Sequence, residues 1–130
     1  MREPAAVPLE GIEFGVQEAR PRPGTVVLFV EGEADLHVAP DLRAHIGQAI
    51  DSGASELIID LSRTTFVDSM TLGVLLGAMK RLKEANGSLR LVVSRPVIRR
   101  IFEITLIVGL FPLYETLGEA LAAAAAGGGP

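Results

Sequence analysis

Apolar and polar residues follow one another along the chain in patterns that predict five strands. Ile12–Val16 alternates between the two kinds, which is typical of an edge strand with one solvated face. Thr25–Val30 and Glu56–Leu61 are apolar on both sides, which predicts strands covered on both faces. Leu89–Val93 predicts a further strand, and a turn and a short last strand are expected within Leu106–Tyr114.

Between these strands, apolar residues recur at the spacing of helices. Four helices are expected, opening near Pro40, Asp68, Pro96 and Glu115. The third helix is expected to turn Val97, Ile98, Ile101 and Phe102 inward and Arg95, Arg99 and Arg100 outward. Strands alternating with helices are the signature of βαβ units. The sequence therefore predicts an α/β fold with a mixed, mainly parallel central sheet of four or five strands and about four helices.

Polar and turn-forming segments are expected to join these elements. Arg20–Gly24 is rich in proline and predicts a turn. The acidic residues from Glu31 to Asp35 are expected to leave their strand as a loop, and Ser62–Thr65 to form another. Residues 1–10 predict a flexible lead-in, residues 11–122 a single domain, and residues 123–130 an Ala/Gly-rich flexible tail.

The second helix has an unusual pattern on the side that should face solvent. Its predicted buried stripe consists of Leu72, Leu75, Leu76, Met79 and Leu82. At about 100° per residue, the opposite side carries Met70, Gly73, Val74, Gly77 and Arg81. A solvated helix would carry charges there, whereas glycines weaken a helix and allow close approach to its backbone. This side is interpreted as a docking surface for another macromolecule, or alternatively as a side covered by another part of the chain.

Two acidic residues are expected beside the start of this helix. Asp35 and Asp68 each follow a predicted strand, and at the carboxyl edge of an open α/β sheet ligands and partners usually bind. With the hydroxyl groups of Ser69 and Thr71 they would form an acidic, hydrogen-bonding lip. The alternative role is local, with Asp68 capping its helix and Asp35 closing a turn.

Composition narrows the function classes. The 130 residues include no cysteine, which excludes a thiol nucleophile and is compatible with a reducing cytosol. The net charge of −4 argues against nucleic-acid binding. The start of the chain lacks the apolar core of a secretory signal, and no run is long enough to span a bilayer, so no direct membrane insertion is expected.

Candidate chemistry is sparse. His37 and His45 do not have a metal-ligand spacing, and the phosphate-binding glycine motifs are absent, so neither a metal nor a cofactor is expected. A hydrolase triad of Ser69, His37 and Asp35 or Asp68 lacks the motif that usually surrounds a nucleophilic serine. The sequence thus favours a binding protein over an enzyme.

Several segments together resemble the STAS domain of bacterial anti-sigma factor antagonists, over roughly residues 12–122. The segments are Gly32-Glu-Ala-Asp35 with Ala39-Pro40 and Leu42, Leu57–Leu61, Phe66-Val-Asp-Ser69 with Leu72-Gly-Val-Leu75, and Val97–Thr105 with Leu110–Tyr114. The resemblance implies a cytoplasmic, non-catalytic partner-switching protein. Its partner would be an anti-sigma factor of the histidine-kinase-like ATPase type that is also a serine kinase, and binding would release a sigma factor. Phosphorylation by that kinase would end the interaction.

The sequence departs from the family at the phosphate-accepting position. The family usually has Asp-Ser-Ser/Thr-Gly, with the phosphate on the residue after the first serine, which here is Met70. A thioether cannot accept phosphate, and Thr71 replaces the glycine. Three hypotheses follow: Ser69 or Thr71 accepts the phosphate, the protein is a constitutive binder, or it is a diverged adaptor for a transporter ATPase or a phospholipid-trafficking complex.

A second departure lies at Ile107-Val108, where the resemblance leads us to expect charged residues in a turn. Exposure of these side chains would favour self-association as a homo-oligomer or partner contact, and burial would only enlarge the core.

Overall fold

The computed structural model describes residues 14–35, 37–104 and 108–126. Within these ranges the strands are β1 (Phe14–Arg22), β2 (Thr25–Ala34), β3 (Glu56–Val67), β4 (Ser88–Val92) and β5 (Leu113–Tyr114). The helices are α1 (Ala39–Asp51), α2 (Ser69–Glu84), α3 (Pro96–Ile104) and α4 (Leu117–Ala125), with a 3₁₀ turn at Val108–Leu110. The predicted lead-in, the strand start at Ile12, the end of the tail and the side chains of Ile107 and Val108 lie outside this description.

The five strands form one sheet in the order β1-β2-β3-β4-β5. β1 pairs with β2 in antiparallel orientation, and the other neighbouring pairs are parallel. The predicted mixed, mainly parallel α/β fold is therefore confirmed.

The two faces of the sheet pack against different helices. Successive strand residues point to opposite faces, so Val26, Leu28 and Val30 of β2 pack with buried residues of α1, α2 and α3. On the other face Val27, Ile58 and Val92 pack with Ala120 and Ala124 of α4. On that face Arg90 is also buried, and its guanidinium group contacts Glu56 and Ser88 at the amino ends of the strands.

The first hairpin turns later than predicted. β1 continues through Arg20 to Arg22, which pairs with Thr25 after an irregularity in register that follows Ala19. The turn is confined to Pro23 and Gly24, and Gly24 has a φ of +82°, a conformation that a side chain would disfavour.

Of the two predicted loops, Ser62–Thr65 belongs to β3 and Glu31–Ala34 to β2, whereas Asp35 leaves the strand as expected. Glu31 pairs with Arg63 and Gly32 with Thr64, so the two strands remain paired as far as Ala34 and Val67. The Thr64 hydroxyl donates a hydrogen bond to the Val30 carbonyl oxygen at 2.7 Å and is fully buried. Backbone pairing thus extends the strands through polar residues that a hydrophobic pattern assigns to loops.

α3 and α4 each depart from the sequence prediction at one place. Ile98 and Phe102 of α3 are buried, but Val97 is 58% exposed, because it lies in the first turn and faces away from the sheet. α4 runs to Ala125 with Ala124 buried, so the tail predicted from residue 123 overlaps the helix.

Candidate functional site

The carboxyl ends of β2 and β3 place the two predicted acidic residues side by side. Ala34 pairs with Val67, and Asp35 and Asp68 follow these two residues directly. The Asp68 backbone N–H donates to the Ala34 carbonyl oxygen at 3.1 Å, which ties the two chain segments together. The prediction that both residues leave neighbouring strands is confirmed.

Each carboxylate also has the local role that the sequence suggested. Asp68 is the N-cap of α2, and its Oδ1 accepts a hydrogen bond from the Thr71 N–H at 2.9 Å. Asp35 Oδ1 accepts a hydrogen bond from the His37 N–H at 3.0 Å, which closes a turn. Both residues are only partly buried, so they remain accessible at the surface.

One side of α2 is open to solvent from its first turn onward. We call Ser69, Met70, Gly73 and Gly77 the outer arc, since they lie within about 100° of one another on the helix and are all exposed. Met70 is 51% exposed. Apart from its chain neighbours and the backbone of α2, no atom of the described residues lies within 4 Å of a Cβ added at Gly73 or Gly77. A partner could therefore approach the backbone of α2 along the outer arc without meeting other described residues of this chain.

Two predicted members of the docking surface are buried. Thr71 is fully buried, and its hydroxyl donates to the Ala34 carbonyl oxygen at 2.9 Å. Val74 is 5% exposed. The expectation that these two side chains face outward is wrong. We call the buried side of α2 the inner arc, which comprises Thr71, Leu72, Val74, Leu75, Ala78 and Leu82.

The reason for this error is the position of α1. Val74 and Arg81 are seven residues apart and so lie on the same side of α2. Arg81 Nη2 lies 3.4 Å from Asp51 Oδ1 at the end of α1, which shows that this side faces α1. Because α2 contacts both the sheet and α1, the centre of its buried side lies roughly 50° around the helix from the centre of the predicted stripe. Leu76 and Met79, at the far edge of that stripe, are only partly buried.

The structure also exposes an apolar residue of β3 next to the Asp68 cap. Phe66, the last residue but one of β3, is 46% exposed, whereas its neighbour Val67 is 3% exposed. The sequence could have indicated this exposure, because successive strand residues point to opposite faces and Val67 is buried. Phe66 and Met70 thus flank the Asp68 cap, and both are apolar and exposed.

A hydrolase would need a histidine within hydrogen-bond reach of the Ser69 hydroxyl, and the described residues show no such contact. The His37 ring is 80% exposed and lies 3.6 Å from Asp35, with Nδ1 nearest the carboxylate. Two surface cavities, of about 690 and 340 Å³, are lined by other residues of the described ranges. Residues 14–35, 37–104 and 108–126 also include no group of three or more His, Asp or Glu residues placed to hold a metal ion.

No helix in the described part of the chain is both long and apolar enough to cross a bilayer.

The fold and this surface define a class of protein: a mixed α/β domain of five strands that presents the open first turns of one helix at the carboxyl edge of its sheet. The chain belongs to the STAS domain family, whose sequence model matches residues 17–120.

Relatives within this family are named as antagonists of anti-sigma factors. The anti-sigma-B factor antagonist of Listeria monocytogenes is 32% identical over 92 residues, which cover 71% of this chain and 81% of the relative. A crystal structure of an anti-sigma factor antagonist from Mycobacterium paratuberculosis superposes with a TM-score of 0.77 at 32% identity, covering 85% of this chain and 92% of that one. SpoIIAA of Bacillus, in its phosphorylated form, gives a TM-score of 0.69 at 31% identity, with coverage of 85% and 99%.

Proposed function

We propose that this chain is an anti-sigma factor antagonist that acts by binding and not by catalysis. Its partner is an anti-sigma factor of the histidine-kinase-like ATPase type that is also a serine kinase, and the complex releases a sigma factor in the cytoplasm. Support comes from the relatives, which carry the name of anti-sigma factor antagonist at about 30% identity over most of the chain.

The observation that carries the proposal is the outer arc of α2. Met70 supplies an exposed apolar side chain, and Gly73 and Gly77 leave space above the helix backbone. The cores of protein interfaces are depleted of charged residues and enriched in methionine, which matches the uncharged outer arc with Met70. The proposed contact surface therefore comprises the outer arc with the partly exposed carboxylates of Asp35 and Asp68.

The proposed binding is constitutive, because the position that normally accepts phosphate is Met70. Thr71 cannot take over this role in the folded protein, since its hydroxyl is buried and donates to the Ala34 carbonyl oxygen. Ser69 has an exposed position and is the remaining candidate for phosphate in this turn. It lies one residue before the family's acceptor position, about 100° away around the helix, so a kinase docked on this turn would not find it in the expected place.

The test compares the protein with a variant in which the acceptor is restored. Each histidine-kinase-like anti-sigma factor of the source bacterium is incubated with the purified chain and ATP, and binding and phosphopeptides are measured. We expect one such partner to bind the natural chain stably with no phosphate added. With Met70→Ser the same partner should phosphorylate position 70 and then dissociate, since the added charge of about −1.5 to −2 would lie within the interface.

Three other outcomes would count against the proposal in different ways. Phosphate on Ser69 of the natural chain, followed by dissociation, would overturn constitutive binding but leave the antagonist function. Binding to none of these anti-sigma factors, with recovery of a transporter ATPase or a phospholipid-trafficking complex from the native cytosol instead, would overturn the antagonist function. Turnover of a substrate that is lost with Ser69→Ala would overturn the non-catalytic assignment.

A further inference from the structure

The two methionines in the described residues have different surroundings. Met70, in the first turn of α2, is 51% exposed and belongs to the outer arc. Met79, further along α2, is partly buried and packs against the main hydrophobic core. A reagent in solution therefore reaches the thioether of Met70 more readily than that of Met79.

We propose that Met70 is a modification site at which a hydroperoxide controls docking. The sulfur lone pair attacks the distal oxygen of the peroxide, the O–O bond breaks and an S–O bond forms. The transferred oxygen loses its proton and the leaving oxygen takes one up, so the sulfur is oxidised by two electrons to the sulfoxide and the peroxide is reduced to water or an alcohol. The effect on docking rests on the proposed function, whereas the chemistry at Met70 does not.

Oxidation at this position changes the surface and leaves the core intact. The thioether is apolar, and its sulfoxide is a polar hydrogen-bond acceptor. Phe66 and Met70 are the exposed apolar side chains on either side of the Asp68 cap, so a partner that covers this turn must remove water from position 70. Burial of the sulfoxide without a donor opposite it is unfavourable. The occupant of this surface is therefore a protein with an apolar contact patch.

The position of Met70 also makes the change reversible without unfolding. The sulfoxide is a substrate for methionine sulfoxide reductases, which need access to the side chain. Such a modification gives a chain with no hydroxyl at the usual acceptor position a means of releasing its partner that needs no phosphate.

The experiment first measures the chemistry on the protein alone. Purified chain is titrated with hydrogen peroxide, and the added oxygen atom is located by peptide mass spectrometry. We expect Met70 to be oxidised several-fold faster than Met79, in line with its exposure. The far-ultraviolet circular dichroism and the melting temperature should stay the same when Met70 alone is oxidised. Equal rates at the two methionines, or faster oxidation of Met79, would overturn the assignment of Met70.

The second measurement is the affinity for the anti-sigma factor identified as the partner, before and after peroxide treatment of the chain alone. Oxidation should weaken binding about tenfold, as expected when one central contact is lost, and methionine sulfoxide reductase should restore it. Met79→Leu should respond to peroxide like the natural chain. Met70→Leu, whatever its own affinity, should show no change on treatment.

The outcomes separate the two proposals. A natural chain that binds no anti-sigma factor before treatment overturns the proposed function and with it the effect of oxidation on docking. A natural chain that binds equally well with Met70 fully oxidised overturns this inference alone. Peroxide sensitivity that persists in Met70→Leu and disappears in Met79→Leu would assign the effect to the core methionine.

Discussion

Neither the outer nor the inner arc of α2 contains a charged residue, yet only the inner arc is covered. Val74, on the inner arc, is 5% exposed, and Met70, one helical turn earlier on the outer arc, is 51% exposed. The difference arises because α1 lies beside Val74, whereas no other element of the described ranges comes within 4 Å of a Cβ added at Gly73 or Gly77. Apolar composition identifies α2 as unusual, but the packing of its neighbours decides which part of it is free for a partner.

The largest expected effect comes from placing a charge on the inner arc. Val74→Asp would bury a carboxylate between α2 and α1 without a partner, and we expect a loss of at least about 3 kcal/mol in the free energy of unfolding. Urea denaturation followed by circular dichroism measures it. A loss within about 0.5 kcal/mol, the range of ordinary surface substitutions, would show that Val74 is exposed and that the two arcs are assigned wrongly.

A smaller effect of opposite sign is expected on the outer arc. Gly77→Ala places a methyl group in open space and replaces a residue with a poor helix propensity, so the free energy of unfolding should rise by about 1 kcal/mol. The same methyl group would keep a partner from the helix backbone, so affinity for the anti-sigma factor should fall while stability rises.

Gly87 provides a control for this substitution. An added Cβ there would lie 2.7 Å from the Ser55 carbonyl oxygen, so Gly87→Ala should destabilise the fold. Because Gly87 follows the carboxyl end of α2, away from the outer arc, any binding that remains in the folded fraction should be normal. If Gly77→Ala stabilised the protein and left affinity unchanged, the space above Gly77 would have no role in docking.

The features that follow from local sequence were predicted well. The cap at Asp68 is confirmed, because a carboxylate before an apolar helix satisfies the free N–H groups of the first turn. The proximity of Asp35 and Asp68 also follows from the sequence, since consecutive parallel strands joined by a helix are usually neighbours.

The errors have a common origin in long-range packing. Thr64 is buried in a strand because its hydroxyl bonds to Val30 on the adjacent strand. Thr71 faces inward because the carbonyl group of Ala34, the last residue of β2, accepts its hydroxyl hydrogen bond. Neither partner is close in sequence, so the pattern around each threonine indicates a loop or a surface. The exposure of Val97 is a similar case, since an apolar residue in the first turn of a helix need not face the sheet.

The most direct test of the account is the affinity of Met70→Glu for the anti-sigma factor, compared with Gln48→Glu, a substitution of the same charge at an exposed position of α1. A glutamate in the first turn of α2 is favoured by the helix dipole, so the free energy of unfolding should stay within about 0.5 kcal/mol of the natural chain. We predict that Met70→Glu weakens binding about tenfold or more, while Gln48→Glu leaves it within about twofold. Equal affinities for the two variants and the natural chain would contradict the proposal that the outer arc of α2 is where the partner binds.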